Sequence, residues 1–318
     1  MEAFLDVALP VFGIMAAGYL IGRFNILGQA STAALNGFVF HVALPALFFI
    51  ALARAPMDDI LNLPYLAAVI GGQIGIFLLA FLVAFQCFPG SLGTRGLNAI
   101  AAIFSNTGYM GIPLLITAFG PQGALPAIIA TVVNGAMMMA LGTAILEVDK
   151  SKEKGGSAGR IAWDAAKGVA RNPLVRSAVL GIGWTLIGLP IPKPLGTFCD
   201  LIGAAAGPCA LFAMGLFLVS QRITSGLGEV GWVSFLKLIA HPLLTWWLAA
   251  MVLEMEPLWV ASAVIMAALP TGGLVFVLAS QYQTYLQRSA AIILISTILS
   301  VITVSAILAF YMPLVPRP

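Results

Sequence analysis

Charge is scarce in this chain. Only 8% of its 318 residues are Asp, Glu, Lys or Arg, against 61% hydrophobic, too little polar surface to clothe a fold in water. A soluble globular domain is therefore excluded. Acidic residues are missing from the middle of the apolar segments: Glu147, Asp200, Glu254 and Glu256 all fall near segment ends, which leaves a carboxylate cage for sodium poorly supplied. Cys87, Cys199 and Cys209 lack the spacing of a metal or redox motif and read as small packing residues. No metal site is expected. There is no Gly-x-x-x-x-Gly-Lys-Ser/Thr loop, which removes direct ATP drive. His41 and His241 have no serine and carboxylate arrangement beside them for an intramembrane hydrolase. Neither an enzyme nor a cofactor is expected. Bases are not interleaved with aromatics, so the formal charge of +3 gives no reason to expect nucleic acid. The first apolar segment is preceded by Glu2 and Asp6 and no base, the wrong charge for a cleavable signal, and reads as a retained helix.

What the chain has instead is apolar length. Runs near 4–21, 33–53, 64–88, 96–118, 124–147, 173–189, 196–220, 231–253, 257–282 and 287–312 are each close to the roughly 20 residues that cross a bilayer. An all-α polytopic protein of ten transmembrane helices follows. With the N-terminus outside, the inner loops hold Arg23, Arg95, Lys150, Lys152, Lys154, Arg160, Lys167, Arg171, Arg176, Arg222 and Arg288, and the outer side only Arg54, Lys193 and Arg317. That asymmetry places both termini outside, periplasmic in a bacterial inner membrane.

Two of the runs are interrupted by small-residue knots, Ser105-Asn106-Thr107-Gly108-Tyr109-Met110-Gly111-Ile112-Pro113 in the fourth and Leu269-Pro270-Thr271-Gly272-Gly273 in the ninth. Proline removes a donor and glycine loosens the helix, so each knot leaves backbone groups unpaired at membrane depth. The polar stretch 149–172 lies at the middle of the chain and reads as a flexible cytoplasmic linker between residues 1–148 and 173–318. Around it, Gly18-Tyr-Leu-Ile-Gly22 echoes Gly183-Trp-Thr-Leu-Ile-Gly188, Leu44-Pro-Ala-Leu-Phe-Phe49 echoes Gly207-Pro-Cys-Ala-Leu-Phe212, and 101–111 meets 263–273. Five helices per copy is an odd number, so the second copy enters from the opposite side and the broken helices 4 and 9 can cross in a 5+5 inverted repeat.

The strings Asn106-Thr-Gly-Tyr-Met-Gly-Ile-Pro-Leu114, Leu269-Pro-Thr-Gly-Gly273 and Lys237-Leu-Ile-Ala-His-Pro-Leu-Leu244 resemble the auxin efflux carrier family, in particular its bacterial branch of malonate or malate permeases. The resemblance covers the whole chain. It implies a ten-helix fold, similar also to bile acid and sodium symporters, with helices 1, 2, 6 and 7 as scaffold, helices 3–5 and 8–10 as a moving transport domain, and a homodimer through the scaffold.

The expected site is the crossing. Amide ends of two half-helices facing one point attract an anion, with Asn106, Thr107, Gly108, Tyr109, Gly111, Pro113, Pro270, Thr271, Gly272 and Gly273 around it and Asn134 either reaching it from helix 5 or bonding a neighbouring helix. Lys237, with His241 one turn later, either attracts the anion or couples protons, or snorkels to the inner interface. His41 is either a proton-coupling group or a hydrogen-bonded packing histidine. The expected function is secondary, elevator-type transport of a mono- or dicarboxylate, malonate- or malate-like, with a proton a better coupling ion than sodium. The alternatives are an auxin-like aromatic carboxylate exporter and, from another class, an anion channel or receptor-like protein.

Overall fold

The computed structural model describes residues 9–154, 158–219 and 226–315, which are helical with no named strand. The first half comprises α1 (Leu9–Arg23), α2 (Gln29–Phe38), α3 (Leu44–Arg54), the single turn α4 (Met57–Ile60), α5 (Leu63–Cys87), α6 (Leu92–Ile103), α7 (Ile112–Phe119), α8 (Ala124–Lys154) and α9 (Ala158–Arg171). The second half comprises α10 (Pro173–Ile187), α11 (Lys193–Ala204), α12 (Ala206–Leu218), α13 (Leu227–Phe235), α14 (His241–Trp246), α15 (Pro257–Ala268), α16 (Leu274–Gln281) and α17 (Leu286–Tyr311). Among the described residues, six helical stretches are long and apolar enough to cross a membrane, and α1, α10 and α15 are shorter apolar helices. Each apolar run read from the sequence lies on helix, its described ends shifted by a few residues. Large apolar side chains such as Leu20, Leu82, Val179, Leu201 and Ile302 point outward, the arrangement a lipid-facing surface requires. The protein is a multi-pass membrane protein.

Proline sets where these helices loosen. Val39–Ala43, Thr107–Gly111 and Leu236–Ala240 are π-helical, and each is followed two residues later by a proline, Pro45, Pro113 and Pro242. Proline has no N–H to return to the carbonyl four residues back. The chain responds by widening the turn: Leu44 donates to Val39 O, Ile112 to Thr107 O and His241 to Leu236 O, each five residues back. A fourth π segment, Trp247–Val252, has no such proline.

Glycine sets where helices touch. A Cβ on Gly18 of α1 would lie 2.2 Å from Phe212 O of α12, and one on Gly181 of α10 would lie 2.8 Å from Phe49 O of α3. Only glycine allows these close approaches, which supply the van der Waals contact that drives helix association in lipid. Contacts join α1 and α2 to α12, and α3 to α10 and α11. A second set joins α5 to α6 and α14, α14 to α15, and α13 to α17.

The central polar stretch departs from the flexible linker expected of it. Helix α8 continues to Lys154, and α9 occupies Ala158–Arg171. Residues 155–157 lie outside the description, as do Arg222 and Arg317. The reason for α9 is periodicity: apolar residues recur at sequence positions 161, 165 and 169, four apart, with charged residues at 160, 164 and 167, a pattern that favours an amphipathic helix.

A carboxylate that the sequence reading left in a loop proves to be buried. Glu229, in the first turn of α13, is 5% exposed; its carboxylate meets Arg288 Nη1 at 2.6 Å and accepts from Asn98 Nδ2 and Tyr285 Oη at 2.7 Å each. Burial first, and then the Glu229 charge, push the Tyr285 phenol well above its usual range, so it stays a donor. This cluster ties α6, α13 and α17 together. Removing one partner of a buried pair strands the other, so Glu229→Ala is expected to lower the melting temperature of detergent-solubilised protein by roughly 5 °C. Differential scanning fluorimetry measures it, with Arg54→Ala as the comparison. Arg54 pairs with Asp200 at 2.8 Å, but both side chains are half-exposed, and such pairs contribute about 0–1 kcal/mol.

Candidate functional site

The two knots meet. Asn106 N donates to Pro270 O at 2.8 Å and Gly272 N donates to Phe104 O at 3.0 Å, making a one-pair antiparallel bridge between Ser105 and Thr271. Backbone groups freed by one break are thus taken up by the other, which is how irregular backbone survives inside a membrane protein. Positions 106 and 272, like 104 and 270, are 166 residues apart. The sequence match paired 101–111 with 263–273 and so fell four residues short of this register, because it aligned Gly111 with Gly273 rather than the groups that bond.

Asn134 of α8 locks the first knot. Its Nδ2 donates to Ser105 O at 2.8 Å and Thr107 Oγ1 at 3.2 Å, while its Oδ1 accepts from Gln73 Nε2 at 3.2 Å and Ser105 N at 3.4 Å. In the second knot, Thr271 N donates to Ser296 Oγ at 3.1 Å and Thr271 Oγ1 to Ala101 O at 2.8 Å.

On one side of the crossing lies a chamber of about 340 Å³. Asn106, Thr107, Gly108, Tyr109, Asn134, Gly272 and Gly273 line it, and so does His41, exposed on its π turn with its ring edge-on to Phe40. Four of the predicted residues do not: Gly111 is held against Met266 and Leu269, Pro113 lies against Gly207, the Pro270 carbonyl is spent on Asn106, and Thr271 is fully buried. Asn106 is only 6% exposed, and its Nδ2 is buried without a partner. In the first half-helix, Met110 N is the first amide taken by a helical carbonyl, Asn106 O at 3.1 Å; in the second it is Val275 N, to Gly272 O at 3.3 Å. The amides of Gly108, Tyr109, Gly273 and Leu274 therefore precede the first helical bonds, and all four residues line the chamber. First-turn amides carry partial positive charge. Among the described lining residues there is no Asp, Glu, Lys or Arg, and His41 is the one titratable imidazole.

Lys237 and His241 lie behind the crossing. Lys237 is fully buried, its Nζ donates to Ala267 O and lies 3.2 Å from His241 Nδ1, so it does not snorkel. It does not line the chamber. His241 lines a second, much smaller cavity of about 10 Å³ with Gln73, Ser105, Thr107 and Thr245. Gln73 was missed by sequence reading, although it is the lone polar side chain between Leu66 and Phe85, a signal that could have found it. Asn36, Asn172 and Phe217, which also line the chamber, gave no such signal.

A family model described as membrane transport protein matches residues 4–308. The chain belongs to that family. The transporter is 31% identical over 97% of its length to the "Putative malonate transporter" of Rhizobium meliloti (strain 1021), covering 96% of that protein. It is 27% identical over 94% of its length to the "Uncharacterized transporter YfdV" of Escherichia coli (strain K12), covering 95% of it. The "Auxin efflux carrier component 6" of Arabidopsis thaliana matches 42% of the transporter at 27% identity, over 24% of the plant chain. The resemblance read from the knots is borne out. As a membrane transporter the protein handles a small solute in contact with lipid.

Proposed function

We propose that this transporter is a secondary carrier of small organic anions that holds a carboxylate at the crossing of its two broken helices. The observation that carries the reading is the unpaired Asn106 amide set among four unbonded first-turn N–H groups in a chamber with no acid on its wall. Such an arrangement binds one carboxylate without an arginine. A malonate- or malate-like mono- or dicarboxylate is the first candidate, in keeping with the Rhizobium meliloti relative. The chamber, at about 340 Å³ and faced by Phe40, Leu44, Val132, Met214 and Phe217, has room for an apolar body and favours an aromatic monocarboxylate as the second.

The proposed architecture is ten spans in a 5+5 inverted repeat. Its support is that close-packed pairs recur at one spacing: Gly18 and Gly181, and their partners Phe212 and Phe49, are each 163 residues apart. The two sets of helix contacts support a scaffold of α1–α3 and α10–α12 and a transport domain of the remaining spanning helices. Sliding of one past the other would expose the site alternately to each side, with both termini periplasmic, the 149–172 segment cytoplasmic and the protein in a bacterial inner membrane. His41 on the chamber wall is the candidate for proton coupling.

The test is counterflow in proteoliposomes loaded with labelled malonate, malate or indole-3-acetate. Saturable exchange of at least one, faster when the far side holds unlabelled anion, is the expected result. Failure of every organic anion would overturn the carboxylate reading, and flux that never saturates would favour a channel.

A further inference from the structure

The second knot exposes a carbonyl pole as well as an amide pole. Helix α15 ends at Ala268, and the three positions after Leu269 return no helical bond: Pro270 has no N–H, Thr271 N goes to Ser296 Oγ and Gly272 N to Phe104 O. The carbonyls of Met266, Ala267 and Ala268 are therefore not returned a helical N–H, which makes that end a concentrated negative pole deep in the protein. Such poles are where carriers with broken helices coordinate cations. In this chain one is already covalently present. The Lys237 Nζ docks on Ala267 O, next to His241 Nδ1, and no carboxylate pairs with Lys237 among the described residues. A buried ammonium has to be offset by the dipoles around it; here the Ala267 carbonyl accepts from it, and His241 Nδ1 does so in the tautomer that leaves that nitrogen unprotonated. The first knot is built differently. Gln73, which precedes Lys237 by 164 residues, close to the 163 and 166 that relate the other pairs, is neutral and bonds Asn134.

We propose that Lys237 is a resident cation, filling at the carbonyl pole of α15 the place a free metal cation would take, so that the carrier works without sodium or potassium. The proposal rests on the carrier reading above for its transport arm and on folding alone for its second arm. The adjoining 10 Å³ cavity, bordered by the unpaired Gln73 Oε1 and Thr245 Oγ1, has room for about one water, and shortening the lysine would enlarge it toward the size of a small cation.

Purified protein is reconstituted and its malonate, malate and indole-3-acetate counterflow measured in sodium, potassium or choline chloride at equal ionic strength, with melting curves recorded in the same three salts. Wild type is expected to exchange at rates within about twofold across the salts, and Lys237→Ala to lose about tenfold in choline and regain most of it when sodium or methylammonium is added. Wild-type exchange that sodium accelerates more than about fivefold over choline would overturn the proposal, as would wild-type rates for Lys237→Ala in choline, or a loss that neither cation reverses. If Lys237→Ala does not fold, Lys237→Gln keeps a donor for Ala267 O without the charge, and wild-type exchange by it in choline overturns the proposal. If wild type exchanges none of the anions, the carrier reading fails by itself, and the melting curves still decide: equal wild-type melting temperatures in the three salts support a resident cation, and stabilisation by sodium of more than about 3 °C overturns it.

Discussion

Asn106→Ala is expected to raise the half-saturation concentration for the transported anion by about 10- to 100-fold, the equivalent of one hydrogen bond to a charged group at roughly 1.5–3 kcal/mol. Its melting temperature should not fall. The Nδ2 it removes has no partner in the protein, so folding loses nothing when it goes, whereas a bound carboxylate loses a donor. Asn134→Ala is the contrast, because its amide holds both the N–H and the C=O of Ser105 and also Gln73; there affinity and melting temperature should fall together. Concentration dependence of counterflow, with scanning fluorimetry alongside, measures both. Wild-type affinity in Asn106→Ala would remove the crossing from the list of carboxylate sites.

Gly272→Ala is expected to abolish transport, by about 100-fold or more, while Gly273→Ala leaves the melting temperature unchanged. The two glycines are neighbours in sequence and opposites in space. A Cβ on Gly272 would stand 2.5 Å from Phe104 Cε1 and 3.2 Å from Ser105 O, and one on Gly273 meets nothing within 4 Å. Overpacking of this kind costs about 1–3 kcal/mol where neighbours can give. Here the nearest neighbour is the Phe104 ring, with Ser105 O just beyond it, so relief comes either from pushing that ring into the chamber it lines or from the Asn106-to-Pro270 and Gly272-to-Phe104 hydrogen bonds that hold the two breaks together, and both disturb the site. The readouts are counterflow rate and melting temperature for both variants, and a Gly272→Ala protein with wild-type rates would mean that the crossing does not have to stay closed for transport.

Much of the crossing could be read from residue types, and the limits of that reading are instructive. Proline and glycine announce a break because their effect is local: Pro113 and Pro242 act on a carbonyl four residues away, and the π turns appear where that logic puts them. Which side chains a break presents to a cavity is not local. Thr271 has the same chemistry as Thr107 and sits in the matching knot, yet it turns to Ala101 O while Thr107 faces the chamber. For Lys237 the residue type allows an anion-attracting or proton-coupling group on the one hand and a snorkelling side chain on the other, and it gives no sign of the carbonyl 30 residues away that its Nζ meets. Gln73 and Glu229 were passed over because one polar residue in an apolar run, or one acid at a helix start, gains its meaning only from the partners that surround it.

Composition and spacing alone determined that this chain lives in lipid, that it crosses more than once, and where two of its apolar runs break, because solvation and backbone chemistry act residue by residue. Only the tertiary structure decided that the breaks meet each other, which four chamber-lining amides are left without a protein partner and that a lysine bonds a carbonyl near the end of α15. The physical reason is that an orphan N–H or C=O is satisfied by whatever lies about 3 Å from it, and for Asn106 N and Gly272 N that neighbour comes from the other half of the chain.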